Sequence, residues 1–214
     1  MIKYNKFAYI YPPRPSNAIP TSEIDSYDNE SMFCQIKLNG SNCVIFTNGI
    51  DIHIMNRHNQ PLTNFQITKE EIIRDLYKSS NGQWQIINAE YLNKNKKDEK
   101  NQTFNHKLVV FDILTFESDY LVGKTFQERV NLLDSIYGKV ECDKDYLYKI
   151  SDNIYRVKSY STDFKSLYDR LSNIDMVEGL VMKRSKAKLE LGVSEKNNTR
   201  SQIKVRKPTK NYRF

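Results

Sequence analysis

Apolar and polar residues along the chain alternate with the two-residue period of strands in several short runs. MFCQIKL, NCVIFT and IDIHIMN, between residues 32 and 56, are alternating or β-branched and predict the first three strands of a meander. Asn48-Gly49 between the second and third is the sequence of a two-residue hairpin turn. GQWQIINAEYL, KLVVFDILTF, NIYRVKSY, VEGLVMKR and SQIKVRKP come next, each short, β-prone and flanked by polar residues.

Helical periodicity appears in three places. Thr68 with Glu71, and Thr125 with Glu128, fit a capping box, and Thr162 is expected to open a third helix. The apolar stripes are Ile72, Ile73, Leu76 and Tyr77; then Phe126, Val130, Leu133 and Tyr137; then Phe164, Leu167, Tyr168 and Leu171. Such stripes ordinarily face a core. Strands and helices mix without βα alternation, so the pattern predicts an α+β domain built on antiparallel sheets with flanking helices. Residues 1–30, rich in Pro, Ser, Asn and Asp from position 12, read as an extended N-terminal arm, and 31–214 as the domain proper. The run 93–105, NKNKKDEKNQTFN, reads as a solvated loop tip.

Composition narrows the partner. The 214 residues carry a formal charge of +7, which suits a polyanion, because neutralised phosphates release counterions. Cys34, Cys43 and Cys142 have no disulfide or CxxC spacing, and His53, His58 and His106 have no zinc spacing. No membrane span or signal sequence is expected, and the unpaired thiols imply a reducing compartment, the cytoplasm. Asn- and Lys-rich usage fits a viral or AT-rich genome, which would make this the host cell's cytoplasm.

Lys37 lies near the end of the first meander strand, with Gly40 three residues on in KLNG. A strand lysine alone is ordinarily a solvated face residue, and KxxG alone recurs by chance. The order of its downstream companions distinguishes it: Arg57 in MNRHN, Glu90 in INAEYL, Phe111-Asp112 in VVFDIL, Glu178-Gly179 in VEGLVMK, and Lys204 with Arg206 in QIKVRK, all on predicted strands or at their ends.

Taken in that order these residues resemble the covalent nucleotidyltransferases: ATP-dependent DNA ligases, RNA ligases and the capping guanylyltransferases. The resemblance, over about residues 8 to 210, implies an ATP-grasp-like nucleotidyltransferase domain. It makes Lys37 the adenylated nucleophile, with Lys204 and Arg206 on the α-phosphate. It implies that Arg57 contacts ribose or phosphate, Glu90 binds the ribose, Phe111 stacks on the purine, and Ile36, Asn42 and Lys183 complete the nucleotide contacts. Glu178, with Glu90, would hold Mg²⁺ or Mn²⁺.

Elementary chemistry agrees with these roles. Lysine attacks only as the neutral amine, which costs about 4.6 kcal/mol at pH 7 from an ordinary pKa of about 10.4, and neighbouring cations lower that cost. Two basic residues at i and i+2 of a strand share one face, where a polyphosphate can lie. A half-buried carboxylate in VEGLVM needs a cation partner.

Two departures select a branch. Asn39 and Asn42 stand where DNA ligases and capping enzymes typically carry Asp and Arg; KLNGSN is closer to the KxxGTN of nick-sealing and RNA-editing RNA ligases. Eight residues follow Arg206, too few for the OB-fold domain those other branches use. The expectation is a monomeric ATP-dependent polynucleotide ligase joining 5′-phosphate and 3′-hydroxyl ends, with RNA favoured and a partner protein able to add nucleic-acid grip. DNA nick sealing, guanylyl transfer and a non-catalytic nucleic-acid-binding module are the alternatives. The tail KPTKNYRF and the arm YPPRP interleave cations with aromatics, as strand contacts or as clasps on the domain.

Overall fold

The computed structural model describes residues 2–208. The first strands are β1 (Ile2–Lys3), β2 (Arg14–Ala18), β3 (Met32–Leu38), β4 (Ser41–Thr47) and β5 (Ile52–Asn56). The β4–β5 connection differs from the expected two-residue turn. Thr47 pairs with Ile52, so Asn48–Asp51 form a four-residue loop. The Asn48 side chain accepts from the N–H groups of Ile50 and Asp51, capping a turn too wide for the two-residue type.

The first helical segment is shorter and less regular than its pattern. α1 (Lys69–Glu71) opens on Thr68, whose hydroxyl accepts from Glu71 N–H, then runs into one π-helical turn, Ile72–Leu76. β6 (Gln85–Leu92), β7 (Lys107–Phe116) and β8 (Asp119–Tyr120) lead to α2 (Phe126–Tyr137). There the capping box is complete, Thr125 and Glu128 bonding reciprocally. β9 (Leu147–Lys149) and β10 (Ile154–Val157) precede α3 (Phe164–Leu171). Thr162 does not cap α3. Asp163 takes that position in a left-handed conformation without a side-chain cap, and Asp28, far away in sequence, accepts from Phe164 N–H at 2.9 Å. β11 (Val177–Arg184) and β12 (Asn198–Arg206) complete the order.

Two sheets result. The larger runs β1-β8-β7-β6-β4-β5, with β10 added to β7 and β9 to β10; the smaller runs β2-β12-β11-β3. Pairing is antiparallel except for β10 on β7 and β2 on β12. One apolar core collects Val44, Phe46, Ile86 and Leu114 of the larger sheet and Trp84 just before β6 with Leu133 and Tyr137 of α2. The second joins both sheets through Val109, Val157, Ile36, Leu180 and Val205, and closes on Phe164, Leu167 and Leu171 of α3. All four stripe residues of α2, and all four of α3, are buried.

Two polar segments are more deeply integrated than their composition suggests. Residues 14–18 of the N-terminal segment form an edge strand on β12, and Thr21–Tyr27 a 3-10 helix whose Ile24 is buried. In the run 93–105, expected to be a solvated tip, Asp98 is buried and accepts from Lys100 N–H, Gln102 N–H and the Lys144 ammonium. A buried carboxylate is retained only with such a full set of donors. Among the described residues no helix is long and apolar enough to cross a membrane.

Candidate active site

A cleft of about 330 Å³ lies between the two sheets, within the range of small-molecule sites. Lys37, Ile36, Asn42, Arg57, Glu90, Phe111, Lys183, Lys204 and Arg206 all line it. Glu178 joins through ion pairs: Lys37 Nζ lies 2.5 Å from its Oε2, and Arg206 Nε 2.6 Å from its Oε1.

Strand register explains the convergence. β11 is central in the smaller sheet, and Gly179 pairs with Lys37 on one side and Arg206 on the other. The β3 register shifts between Val177 and Gly179, so Glu178 is the extra residue of a bulge, a device that re-aims a side chain. Gly179 has φ +148°, and a Cβ there would lie 1.9 Å from Val205 O, so only glycine permits this approach. On β12, Gln202, Lys204 and Arg206 project at i, i+2 and i+4 into the cleft. On β7, Val110 and Asp112 oppose Ala89 and Asn88, leaving Phe111 as an inserted residue whose ring faces the cleft.

Gly40 performs a second close approach. A Cβ there would lie 2.5 Å from Tyr91 O, and its N–H donates to Glu90 Oε1 at 3.0 Å, tying the turn after Lys37 to β6. Burial pushes the Glu90 carboxyl up to about 7, against the opposing pull of Lys37 and the Gly40 N–H. The Lys204 ammonium is lowered by burial and by the charges of Arg206 and Lys37. Lys183 is buried, and burial lowers it to about 8 despite the attraction of Asp112. Its Nζ stands 5.1 Å from the Phe111 ring centroid and 4.6 Å from that of Phe126.

Asn42 Nδ2 donates to Asn88 Oδ1 at 2.9 Å, while its own Oδ1 is buried without a hydrogen-bond partner among the described residues. That orphaned acceptor, inside a cleft lined by six basic side chains, fits a ligand bringing both hydrogen-bond donors and negative charge. Glu178 and Glu90 also fit a divalent cation. Among the described residues no cluster of three or more His, Cys, Asp or Glu could hold one, so these carboxylates would share it with ligand phosphates.

No protein-family model matches the sequence, and no curated protein does. Solved structures do match. Mycobacterial DNA ligase D complexed with ATP and MES superposes with a TM-score of 0.66 at 12% identity, over 92% of this chain and 60% of that one. A Lig E DNA ligase gives 0.52 at 14%, over 83% and 62%, and an archaeal ATP-dependent RNA ligase 0.51 at 16%, over 91% and 47%. The fold is the one these ligase structures share. This chain spans under two thirds of the length of each of these three structures.

Several cleft residues of this ligase-type fold were given no role by the sequence motifs. Gln35, Asn88 and Gln202 face in from β3, β6 and β12, and Pro12, Pro13, Arg14 and Pro15 line the cleft from the N-terminal segment. Behind Phe111 and Lys183, Asp112 accepts two hydrogen bonds from Arg129, at 2.8 and 2.9 Å, with both side chains buried. Burial works to raise the Asp112 carboxyl, but Arg129, with Lys183 and the Ile113 N–H, holds it below the ordinary range. Asp112 lies within the VVFDIL motif, and alternation on β7 is the available signal that its side chain turns inward. Nothing local marks Arg129, while Arg14 is the cation of the arm YPPRP. Of the terminal segments with interleaved cations and aromatics, residues 209–214 lie outside the described residues.

Proposed function

We propose that this chain is the adenylyltransferase unit of an ATP-dependent polynucleotide ligase, acting on RNA. The observation that carries the reading is the chain of contacts Lys37–Glu178–Arg206, set beside Lys204 in the cleft that Phe111 lines. A lysine, two phosphate-binding cations and an aromatic face are the parts needed to hold a purine nucleotide with its α-phosphate at an amine.

In the first step the Lys37 amine attacks the α-phosphate of ATP. The Nζ–P bond forms, the bond to the bridging oxygen breaks and pyrophosphate leaves. Glu178, in contact with Nζ, is positioned to take the proton the amine gives up. Lys204 and Arg206 hold the phosphate oxygens as charge develops on them. A divalent cation, Mg²⁺ or Mn²⁺, when held by Glu178 and Glu90 with the phosphates, would supply further charge neutralisation. AMP then passes to a 5′-phosphate, and a 3′-hydroxyl displaces it to join the ends.

KLNGSN supports RNA as the substrate. Asn42 there bonds Asn88 and keeps an acceptor for the ligand, where DNA ligases typically carry arginine. The test is sealing of nicked duplexes with ATP, the 3′-hydroxyl strand being RNA in one and DNA in the other. Faster joining of the RNA nick is expected. Joining of the DNA nick alone would transfer the reading to DNA repair chemistry, and joining of neither would remove strand sealing from it.

A further inference from the structure

Arg14 belongs to none of the ordered motifs, yet its side chain lines the cleft. We propose that Arg14 binds a phosphate other than the one served by Lys37, Lys204 and Arg206, an inference that rests on the nucleotidyl-transfer reading of this cleft.

Placement is the first support. β2 runs parallel to β12, the strand of Lys204 and Arg206, with Arg14 opposite Asn198 and Ala18 opposite Lys204. Lys204 Nζ reaches back to Pro15 O at 3.4 Å. The Arg14 backbone is pinned by its N–H to Asn197 O at 2.9 Å, and Pro13 and Pro15 on either side each fix a backbone torsion. These contacts fix where the side chain leaves the backbone, at the wall of the cleft.

The second support is how the guanidinium is used. Its Nη2 donates to the main-chain oxygen of Glu195, a neutral acceptor. Among the described residues no carboxylate forms an ion pair with it, whereas Lys37 and Arg206 share Glu178 and Arg129 has Asp112. A guanidinium has five N–H donors, so anchoring one nitrogen leaves part of the fork for an anion.

Charge balance is the third. Six basic side chains line the cleft, Arg14, Lys37, Arg57, Lys183, Lys204 and Arg206; Glu178 pairs with Lys37 and Arg206, Asp112 attracts Lys183, and the Glu195 carboxylate acts on Arg14 and Arg57. The cations outnumber these carboxylates, which favours a ligand carrying more than one phosphate. Two sources could supply the second: the pyrophosphate half of ATP, or the 5′-phosphate of the strand to be joined.

The experiment measures equilibrium binding by calorimetry for the wild type, R14Q and R14K, in two arms. The first compares α,β-methylene-ATP, whose bridging carbon blocks transfer, with AMP. The second compares a nicked duplex bearing a 5′-phosphate with the same nick bearing a 5′-hydroxyl. R14Q is expected to lose about tenfold to a hundredfold of the preference for the phosphate-bearing member of one pair, with R14K recovering part of it through charge without the fork. Loss in the first arm identifies the pyrophosphate subsite, and loss in the second a strand-phosphate subsite. Unchanged preferences in both arms overturn the proposal. Neither arm needs covalent attachment to Lys37, so a failure of adenylylation and a failure of this inference read separately.

Discussion

Lys37 Nζ lies 2.5 Å from Glu178 Oε2, across two neighbouring strands of one sheet. The contact exists because the bulge at Glu178 turns that side chain into the cleft beside Gly179, which pairs with Lys37. The other carboxylate oxygen holds Arg206, so one side chain sets the spacing of Lys37 and Arg206.

Glu178→Gln therefore tests positioning more than folding. Both ion pairs are about one-fifth exposed, and partly exposed pairs add about 1 kcal/mol or less to stability. The variant is expected to stay folded, with a melting temperature within a few degrees of the wild type. Formation of a lysine-linked nucleotide should drop about a hundredfold, the scale set by removing one preorganised electrostatic group. Single-turnover labelling beside thermal unfolding separates the two effects; a large loss of stability with labelling preserved would contradict the assignment.

Glu90 links stability to pH. Its folded carboxyl is raised by burial to about 7, so the folded state binds this proton more tightly than the unfolded chain does. The resulting stability is fully present below the ordinary carboxylate range, near 4.5, and is lost as pH rises through 7. Glu90→Gln should flatten the decline between pH 5 and 8 by up to about 3 kcal/mol. Urea unfolding across that range reads it directly, and an unchanged slope in the variant would show that Glu90 does not carry it.

The buried Asp112–Arg129 pair should behave as a unit. Arg129→Ala leaves a buried carboxylate without its bidentate partner and is expected to cost about 3–5 kcal/mol. The double substitution Asp112→Leu with Arg129→Met removes both charges and should cost less than the two single changes together. A double-mutant cycle by chemical denaturation checks this, and simple additivity would mean that the pair contributes no coupling.

How much was legible in the sequence depended on how far each signal was local. β3, β7 and β11 span the residues of their apolar-polar runs because strand periodicity is written within the strand. The Thr125 capping box also closes within four residues. Thr162 failed as a cap because the donor it was to satisfy is met by Asp28, 136 residues away in sequence. Asp98 was hidden for the same reason, its ammonium partner Lys144 arriving from another segment. In the cleft, the ordered motifs named residues that the strand registers bring together. Arg14 was legible only as the cation of the arm YPPRP, with strand contact and clasp both open, and its pairing with β12 is what turns it into a wall of the site.

The most direct measurement is incubation of the folded protein, freed of bound nucleotide, with Mg²⁺ and α-labelled ATP or GTP, beside Lys37→Ala. Label from ATP should survive denaturation in the wild type and be absent from the variant. Label taken only from GTP would contradict adenylylation in favour of guanylyl transfer. Label from neither nucleotide, or label undiminished in Lys37→Ala, would contradict a lysyl-nucleotide intermediate at this cleft.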